Sequence, residues 1–444
     1  MNAREVALNV VRDVFPAPGT GGTERGAQEA LDYRARKANL DARDRAFATE
    51  LAYGAIKMRR ALDWYLVPFV GSRKEPLPQA IAEILRLAVY EFVYTRADEH
   101  ATVFEFVNLA KRYGHRGVGN LVNAVLRSFL RDRPAEISRE RFGSDDEYLG
   151  TRYSLPSWLV RQWRTTFGDE LEAICAAVND PQRTAVTINT LREEPHVALE
   201  RLADEGAKPS RSPIVPESIL VENAGYVSRH EAQAHGAWWI QSESSAMPAG
   251  VLNPQPGEAI LDVCSGRGNK ALQLGGRLRG EGSLICIERD PRKAAVLAER
   301  LEEAGVVAGI VIGDATAELL APGQRFDRVL IDAPCSGIGV VGRHPEARWK
   351  KQPGDGERLA LTQRAILDRI APAVHSGGAL VYAVCSTDPR ETIEVVEWFT
   401  SRHNFERGII PTAYESLLTS AGDVLVPPGL NGRDGFFISR LERR

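Results

Sequence analysis

AILDVCSGRGNK, residues 259–270, is the stretch on which the fold turns. Its first five residues are an apolar run without the alternation of a half-exposed strand, the pattern of a strand buried on both faces. Gly266 and Gly268 then stand where such a strand would turn into a helix. There a ligand can approach the backbone, and a helix N-terminus favours its negative end. A glycine pair alone is an ordinary turn, so its weight depends on what surrounds it.

Downstream, the same strand type recurs at 283–287, 309–312, 328–331 and 379–384, and helical patterns such as 291–304 and 357–371 separate most of these runs. Strands alternating with helices imply right-handed crossovers and a doubly wound, Rossmann-like parallel sheet of the α/β class. Ligands of such sheets lie beyond the carboxyl ends of the strands. Glu288 closes the second strand close to 20 residues after the glycines, where a carboxylate can accept both ribose hydroxyls. Asp314 closes the third, suited to an adenine edge or its amino group. With Cys264, Ser265, Gly266, Arg267, Gly268, Asn269 and Lys270 they make a nucleoside-cofactor site. No Arg replaces the acidic residue and the turn is not the full G-x-G-x-x-G, so a dinucleotide is disfavoured.

The fourth strand leads into Asp332-Ala333-Pro334-Cys335 and the fifth into Cys385-Ser386-Thr387, so two thiols fifty residues apart arrive at one rim. One such cysteine is ordinarily a buried structural residue. Two at adjacent strand ends, one beside Asp and Pro, suit methylation at C5 of a pyrimidine. That carbon is not nucleophilic until a thiolate adds at C6. An acid near N3 stabilises the adduct, C5 takes the methyl group, and loss of the C5 proton ejects the thiol. Amino-group methylation needs no thiol and would place an Asp/Asn-Pro-Pro-aromatic turn at the fourth strand, which this chain lacks.

Upstream of the sheet, Pro254 and Gly257 mark a boundary after Trp238 and Trp239. Residues 145–240 mix helix with short strand-like pieces such as 185–189, and Leu155-Pro156-Ser157 reads as a helix start with the proline just inside. Up to about residue 140 the period is helical: Ile81, Leu85, Ala88 and Phe92 share one face, and Leu121, Val125 and Phe129 another. Residues 16–26, rich in Pro and Gly, read as a plain surface loop. The expected organisation is an all-helical domain at 1–140, a small α+β subdomain at 141–240, and the sheet domain at 241–444.

The 444 residues are 43% hydrophobic and 26% charged, with a formal charge of −3. That composition excludes disorder, collagen and a membrane bundle, and no apolar stretch approaches the ~20 residues of a membrane span. The first helix is amphipathic with acidic groups rather than a secretory signal. Five cysteines without CxxC spacing point to free thiols in a reducing cytoplasm. Charge is uneven: residues 1–140 hold 22 basic and 18 acidic side chains, and the rest 34 and 41. Lys111, Arg112, Arg116, Arg127, Arg131 and Arg133 face Asp132 alone, a candidate phosphate-binding strip or a solvated helix surface. His344 has no second His or Cys at metal spacing, so no metal is expected.

These residues resemble the bacterial ribosomal RNA cytosine-C5 methyltransferases with a NusB-like N-terminal domain, the Sun/Fmu group of the NOL1/NOP2/Sun family. The likeness covers almost the whole chain. Asp44-Arg45, Glu50 to Gly54, Leu85 to Tyr90 and Val122 to Arg127 match the helical domain. Asn189-Thr190 and Gln241 to Ser245 match the stretch before the sheet. Arg343-His344-Pro345-Glu346 with Trp349, and Asp434-Gly435-Phe436-Phe437, match the far side.

The resemblance implies S-adenosyl-L-methionine along Cys264 to Lys270, with Glu288 on its ribose, Asp314 near its adenine and Asp332 between cofactor and base. It implies Cys385 as the nucleophile, Cys335 as the residue assisting release, and Asp332 near N3. The substrate would be a cytosine of small-subunit (16S) ribosomal RNA, naked or in a partly assembled subunit, unstacked into the pocket of a cytoplasmic monomer. It implies a substrate-side role for the 343–349 loop. Rival readings are the same chemistry on a transfer RNA or another ribosomal cytosine, a non-catalytic RNA-binding assembly factor, and a DNA cytosine methyltransferase attacking through Cys335. Three stretches depart from the family pattern. The loop reads Cys-Ser-Gly-Arg-Gly-Asn-Lys-Ala for Cys-Ala-Ala-Pro-Gly-Gly-Lys-Thr, Gln241-Ser242-Glu243-Ser244 replaces Gln-Asp-Glu-Ser, and Pro389-Arg390-Glu391-Thr392 replaces Pro-x-Glu-Asn.

Overall fold

The structure, a computed structural model, describes residues 1–17, 24–71, 76–114, 116–222, 225, 227, 230 and 234–444. By contacts the chain divides into two compact units: residues 1–165 with 344–350, and residues 166–343 with 351–444.

The first unit is helical, built from α1 (Ala3–Val14), α2 (Ala27–Ala38), α3 (Ala42–Lys57), α4 (Arg59–Val70), α5 (Gln79–Tyr94), α6 (Glu99–Tyr113) and α7 (Arg116–Asp132), with helices Asp145–Arg152 and Ser157–Phe167 following. Asn2, Asp41 and Asp98 cap α1, α3 and α6 by accepting from Glu5, Asp44 and Ala101 N–H groups, each cap being worth ~1 kcal/mol. The expected stripe of α5 is buried at Ile81, Leu85 and Ala88, with Phe92 packed against the core from its edge. Of the glycines expected in the loop at 16–26, Gly19, Gly21 and Gly22 fall outside the described residues and Gly26 is the N-cap of α2. Pro156 stands just before its helix rather than inside it, and its carbonyl accepts from the Leu159 and Val160 N–H groups.

The second unit holds two sheets. β1 (Thr184–Ile188), β2 (Pro209–Arg211), β3 (Ser218–Val221) and β4 (Trp238–Ile240) form an antiparallel sheet in the order β2-β3-β1-β4. β5 (Ala259–Val263), β6 (Ser283–Glu288), β7 (Gly309–Ile312), β8 (Phe326–Asp332) and β9 (Val374–Val384) run parallel. β10 (Phe405–Arg407), β11 (Val424–Val426) and β12 (Phe436–Arg443) complete an eight-stranded mixed sheet ordered β10-β12-β9-β8-β5-β6-β7, with β11 also on β12.

Helices cover both faces, which is why the strands read as continuous apolar runs. Ile260, Leu330 and Val381 pack under Met247, Leu272 and Leu297 on one face. Leu261, Val329, Leu380 and Tyr382 pack under Ile366, Leu367 and Val396 on the other. Truncating such a leucine to alanine costs ~2–5 kcal/mol.

Candidate active site

The strand order turns about β5, with β6 on one side and β8 on the other. Such a switch point opens a crevice at the carboxyl ends. The chain leaves β5 through Cys264 (φ 63°), Gly266 (φ 60°) and Gly268 (φ 90°), all in the left-handed region. A Cβ on Gly268 would sit 2.5 Å from Leu297 Cδ1, so that position needs glycine for space as well as conformation. A Cβ on Gly266 would meet nothing nearer than Cys264 O at 4.0 Å, so the loop is open there. Beside it lies a cavity of about 300 Å³ lined by Cys264, Gly266, Glu288, Asp314, Asp332, Pro334 and neighbouring side chains.

Those residues fit a nucleoside cofactor. Glu288 accepts the Gly266 N–H on one oxygen and the Asp290 N–H on the other, both at 2.8 Å. Each carboxylate oxygen therefore keeps a further lone pair for a hydroxyl. Asp314 accepts the Thr316 N–H and hydroxyl on a single oxygen, and these bonds hold its carboxyl below the usual range. Burial pushes the Cys264 thiol up to about 12, which keeps it a neutral wall of the cavity and no nucleophile. Asp262, at the end of β5, is fully buried with neither carboxylate oxygen hydrogen-bonded among the described residues. Desolvation, aided by the charges of Asp332 and Glu288, pushes it up to about 7.

The two late thiols meet. Cys335 Sγ and Cys385 Sγ lie 3.2 Å apart. The contact with Cys385 and then burial raise the Cys335 thiol well above its ordinary value. Either sulfur can donate the S–H of this contact. A donated bond from Gly339 N to Cys385 O (3.1 Å) seats the second turn. Gly339 must be glycine, because a Cβ there would lie 2.1 Å from Gly435 O. Lys270, first turn of helix Asn269–Leu278, reaches Asp332 Oδ2 at 2.7 Å and Ser245 Oγ at 3.1 Å. Its ammonium also lies 5.5 Å from the Phe436 ring centre, a favourable cation–π distance. A second cavity of about 820 Å³ shares Cys264, Gly266 and Asp332 with the first, and adds Trp238, Ser245, Lys270, Arg267 and Arg300.

The departures from the family pattern are absorbed locally. Arg300 donates to Arg267 O at 2.8 Å and to Asn269 Oδ1 at 2.6 Å, while Asn269 Nδ2 donates to Ile240 O at 3.3 Å, so the altered loop is braced from both sides. Ser242 caps helix Glu243–Leu252 through the Ser245 N–H, as an aspartate would. Thr392 Oγ1 donates to Asp388 O at 2.9 Å at the start of the helix that follows Cys385.

Residues 344–350 group with the helical unit, where Trp349 Nε1 donates to Ile56 O (2.6 Å), Ala27 N to Glu346 Oε1 (3.1 Å), and buried Arg348 to Ser154 O (3.2 Å). Half of the basic strip is paired: Arg112 with Glu5, Arg131 with Asp132 and Arg133 with Glu99. Lys111 and Arg127 are exposed without a carboxylate partner among the described residues. There, too, no group of three or more His, Cys, Asp or Glu is placed to hold a metal, and no helix is long and apolar enough to cross a membrane. Gln363 and Tyr382 carried no role in the sequence reading, and Ser245 and Glu391 stood there only as members of stretches matched to the family. Tyr382, a hydroxyl inside an apolar strand, left a signal of its own.

Fold and crevice define a Rossmann-like, S-adenosylmethionine-dependent methyltransferase preceded by a helical domain. Family models for 16S rRNA methyltransferase RsmB/F, the NusB family and the RsmF/B-like ferredoxin-like domain match residues 249–442, 1–131 and 155–228. The chain is 31% identical to the "Probable ribosomal RNA small subunit methyltransferase B" of Bacillus subtilis (strain 168), covering 91% of this chain and 92% of that one. It is 30% identical to the protein of the same description from Synechocystis sp., over the full length of both. The fold is shared with the crystal structure of PH0851 at a TM-score of 0.82 and 23% identity, covering 100% of this chain and 99% of that one. The chain belongs to the RsmB/F family of 16S rRNA methyltransferases, whose methyl donor is S-adenosylmethionine.

Proposed function

We propose that this protein methylates C5 of a cytosine in small-subunit ribosomal RNA through a transient bond between Cys385 Sγ and C6 of the base. The observation that carries this reading is the pair of sulfurs 3.2 Å apart, at the strand ends beside Asp332 and the cofactor crevice. The cofactor supplies an electrophilic methyl group, held by Cys264 to Lys270, Glu288 and Asp314. Cys385 thiolate adds to C6 and moves the electron pair toward C5. Asp332, fixed by Lys270, faces N3 and supports the charge that develops on the ring. After methylation, loss of the C5 proton returns electrons to the C5–C6 bond and expels Cys385. Cys335, adjacent to the leaving sulfur, assists that step. The DNA-type alternative, attack through Cys335, would leave the neighbouring Cys385 without a role.

The substrate follows from the family, with RNA contacts proposed for the helical domain (1–140) and the small α+β subdomain (141–240) of a monomer acting on naked RNA or a partly assembled subunit. The test is Cys385→Ala, assayed on small-subunit ribosomal RNA with S-adenosylmethionine binding followed by calorimetry. The expected result is a loss of methylation of ~10³-fold or more with cofactor affinity retained. Continued turnover would refute the role of Cys385, and absent cofactor binding in the parent protein would refute the enzyme reading.

A further inference from the structure

Glu391 lies six residues beyond Cys385, in the 3₁₀ turn Pro389–Glu391, and is fully buried. Its two carboxylate oxygens are shared between the turns that carry the two thiols. Oε1 accepts the Ser336 N–H at 2.8 Å and Gln363 Nε2 at 3.1 Å. Oε2 accepts the Ser386 hydroxyl at 2.6 Å and the Ser336 hydroxyl. Ser336 and Ser386 each follow a thiol directly, and their own hydroxyls lie 3.1 Å apart. Gln363 also donates to Pro334 O at 3.0 Å, and the single Tyr382 O–H has two acceptors within reach, Glu391 O at 2.7 Å and Gln363 Oε1 at 2.9 Å. Burial raises the Glu391 carboxyl, and four donors converge on it. A buried carboxylate so fully bonded is expensive to leave half satisfied, so the network holds one geometry.

We propose that Glu391 is a positioning residue that sets the spacing of the two active-site sulfurs by tying the turn after Cys335 to the turn after Cys385. It touches no substrate, and no other side chain among the described residues bonds to both serines. The role rests on the covalent reading above, in which the neighbouring thiol assists release of the attacking one. Loosening the tie separates the sulfurs, so attack still occurs while release slows. In Glu391→Gln one oxygen remains for the Ser336 N–H, and the amide can donate to a serine hydroxyl that rotates to accept. That variant retains part of the spacing; Glu391→Ala retains none.

The spacing can be read without catalysis. Dibromobimane becomes strongly fluorescent when both its bromides are displaced by neighbouring thiolates, with two C–S bonds formed and two bromide ions and two protons released. The full-length protein, Glu391→Gln, Glu391→Ala and the Cys335→Ala control are labelled, and the position of the bridge is read by peptide mass spectrometry. Bridging between Cys335 and Cys385 is expected in the parent, reduced in Glu391→Gln, and ~10-fold lower or less in Glu391→Ala. Turnover should fall in the same order, up to ~10²-fold, as for a misplaced catalytic group. The fraction of protein trapped on RNA should rise, with KM for S-adenosylmethionine held within about twofold. Equal bridging in all three Glu391 forms overturns the proposal. So does a loss of turnover that merely follows the folded fraction by circular dichroism. If bridging follows the prediction but Cys385→Ala still methylates, the spacing role stands and the covalent reading fails.

Discussion

Buried charge is treated in opposite ways in the helical unit and at the strand ends. In the helical unit it is consumed internally. Glu91, fully buried, accepts Arg4 through two nitrogens and the Thr102 hydroxyl, and Glu83 accepts Arg59 and Arg86. At the carboxyl ends of the sheet, several groups keep capacity in reserve: the Asp262 carboxylate has no hydrogen-bond partner among the described residues, Glu288 holds spare lone pairs, and two sulfurs lie within reach of one proton. The helical charges build a scaffold, whereas the sheet's charges await a reactant. Mutations should therefore affect folding in one region and chemistry in the other.

The largest expected effect tests the chemical side. Cys335→Ala leaves attack intact but slows release, so a covalent protein–RNA species should accumulate on denaturing gels as turnover falls by ~10²-fold or more. Free enzyme alone under turnover conditions would contradict the release role. Next comes the scaffold. Glu91→Ala strands the Arg4 guanidinium in a part-buried site, and breaking such a pair costs ~3–5 kcal/mol. Hydrogen exchange in α5 should accelerate accordingly, with S-adenosylmethionine affinity unchanged by calorimetry. A matching loss of cofactor affinity would break the contrast.

How much of this was legible from residues alone follows the same division. β5 and β7 fall where the apolar runs placed them, because strands covered on both faces need continuous hydrophobicity. β9 begins five residues earlier than its apolar run, since His375, Ser376 and Gly377 extend it with exposed residues that no burial pattern marks. The thiols and Asp332 converged as expected because a parallel sheet delivers every strand end to one rim. Gln363 was invisible, and Ser245 and Glu391 were legible only as members of family-matched stretches, since partners such as Glu391, Lys270 and Ser336 lie 25 to 55 residues away. The basic strip shows the same limit. Arg112 finds Glu5 from 107 positions away, so a local charge count overstates the free positive charge.

Two smaller effects sharpen the comparison. Asp262 titrates at about 7 in the folded chain, against ~4 unfolded. The fold therefore binds the extra proton, and the stability linked to this group is full below about pH 4, declines up to about pH 7 and is level above that. Asp262→Asn should remove that decline from urea midpoints measured across the interval; parallel curves for both proteins would contradict the assignment. The smallest effect belongs to Lys111→Ala with Arg127→Ala. Losing two phosphate contacts should lower the salt slope of RNA binding by less than about 2, with catalysis at saturating RNA unaltered. An unchanged slope would mean that the helical face carries no RNA phosphate.

The central claim is tested most directly by locating the bond itself. Small-subunit ribosomal RNA carrying 5-fluorocytidine cannot lose a proton at C5 after methylation, so the adduct should persist. Digestion and peptide mass spectrometry of the full-length protein incubated with this RNA and S-adenosylmethionine should find a methylated fluorocytidine on the peptide containing Cys385. A nucleotide on Cys335, or no adduct while ordinary RNA is methylated, would contradict the account.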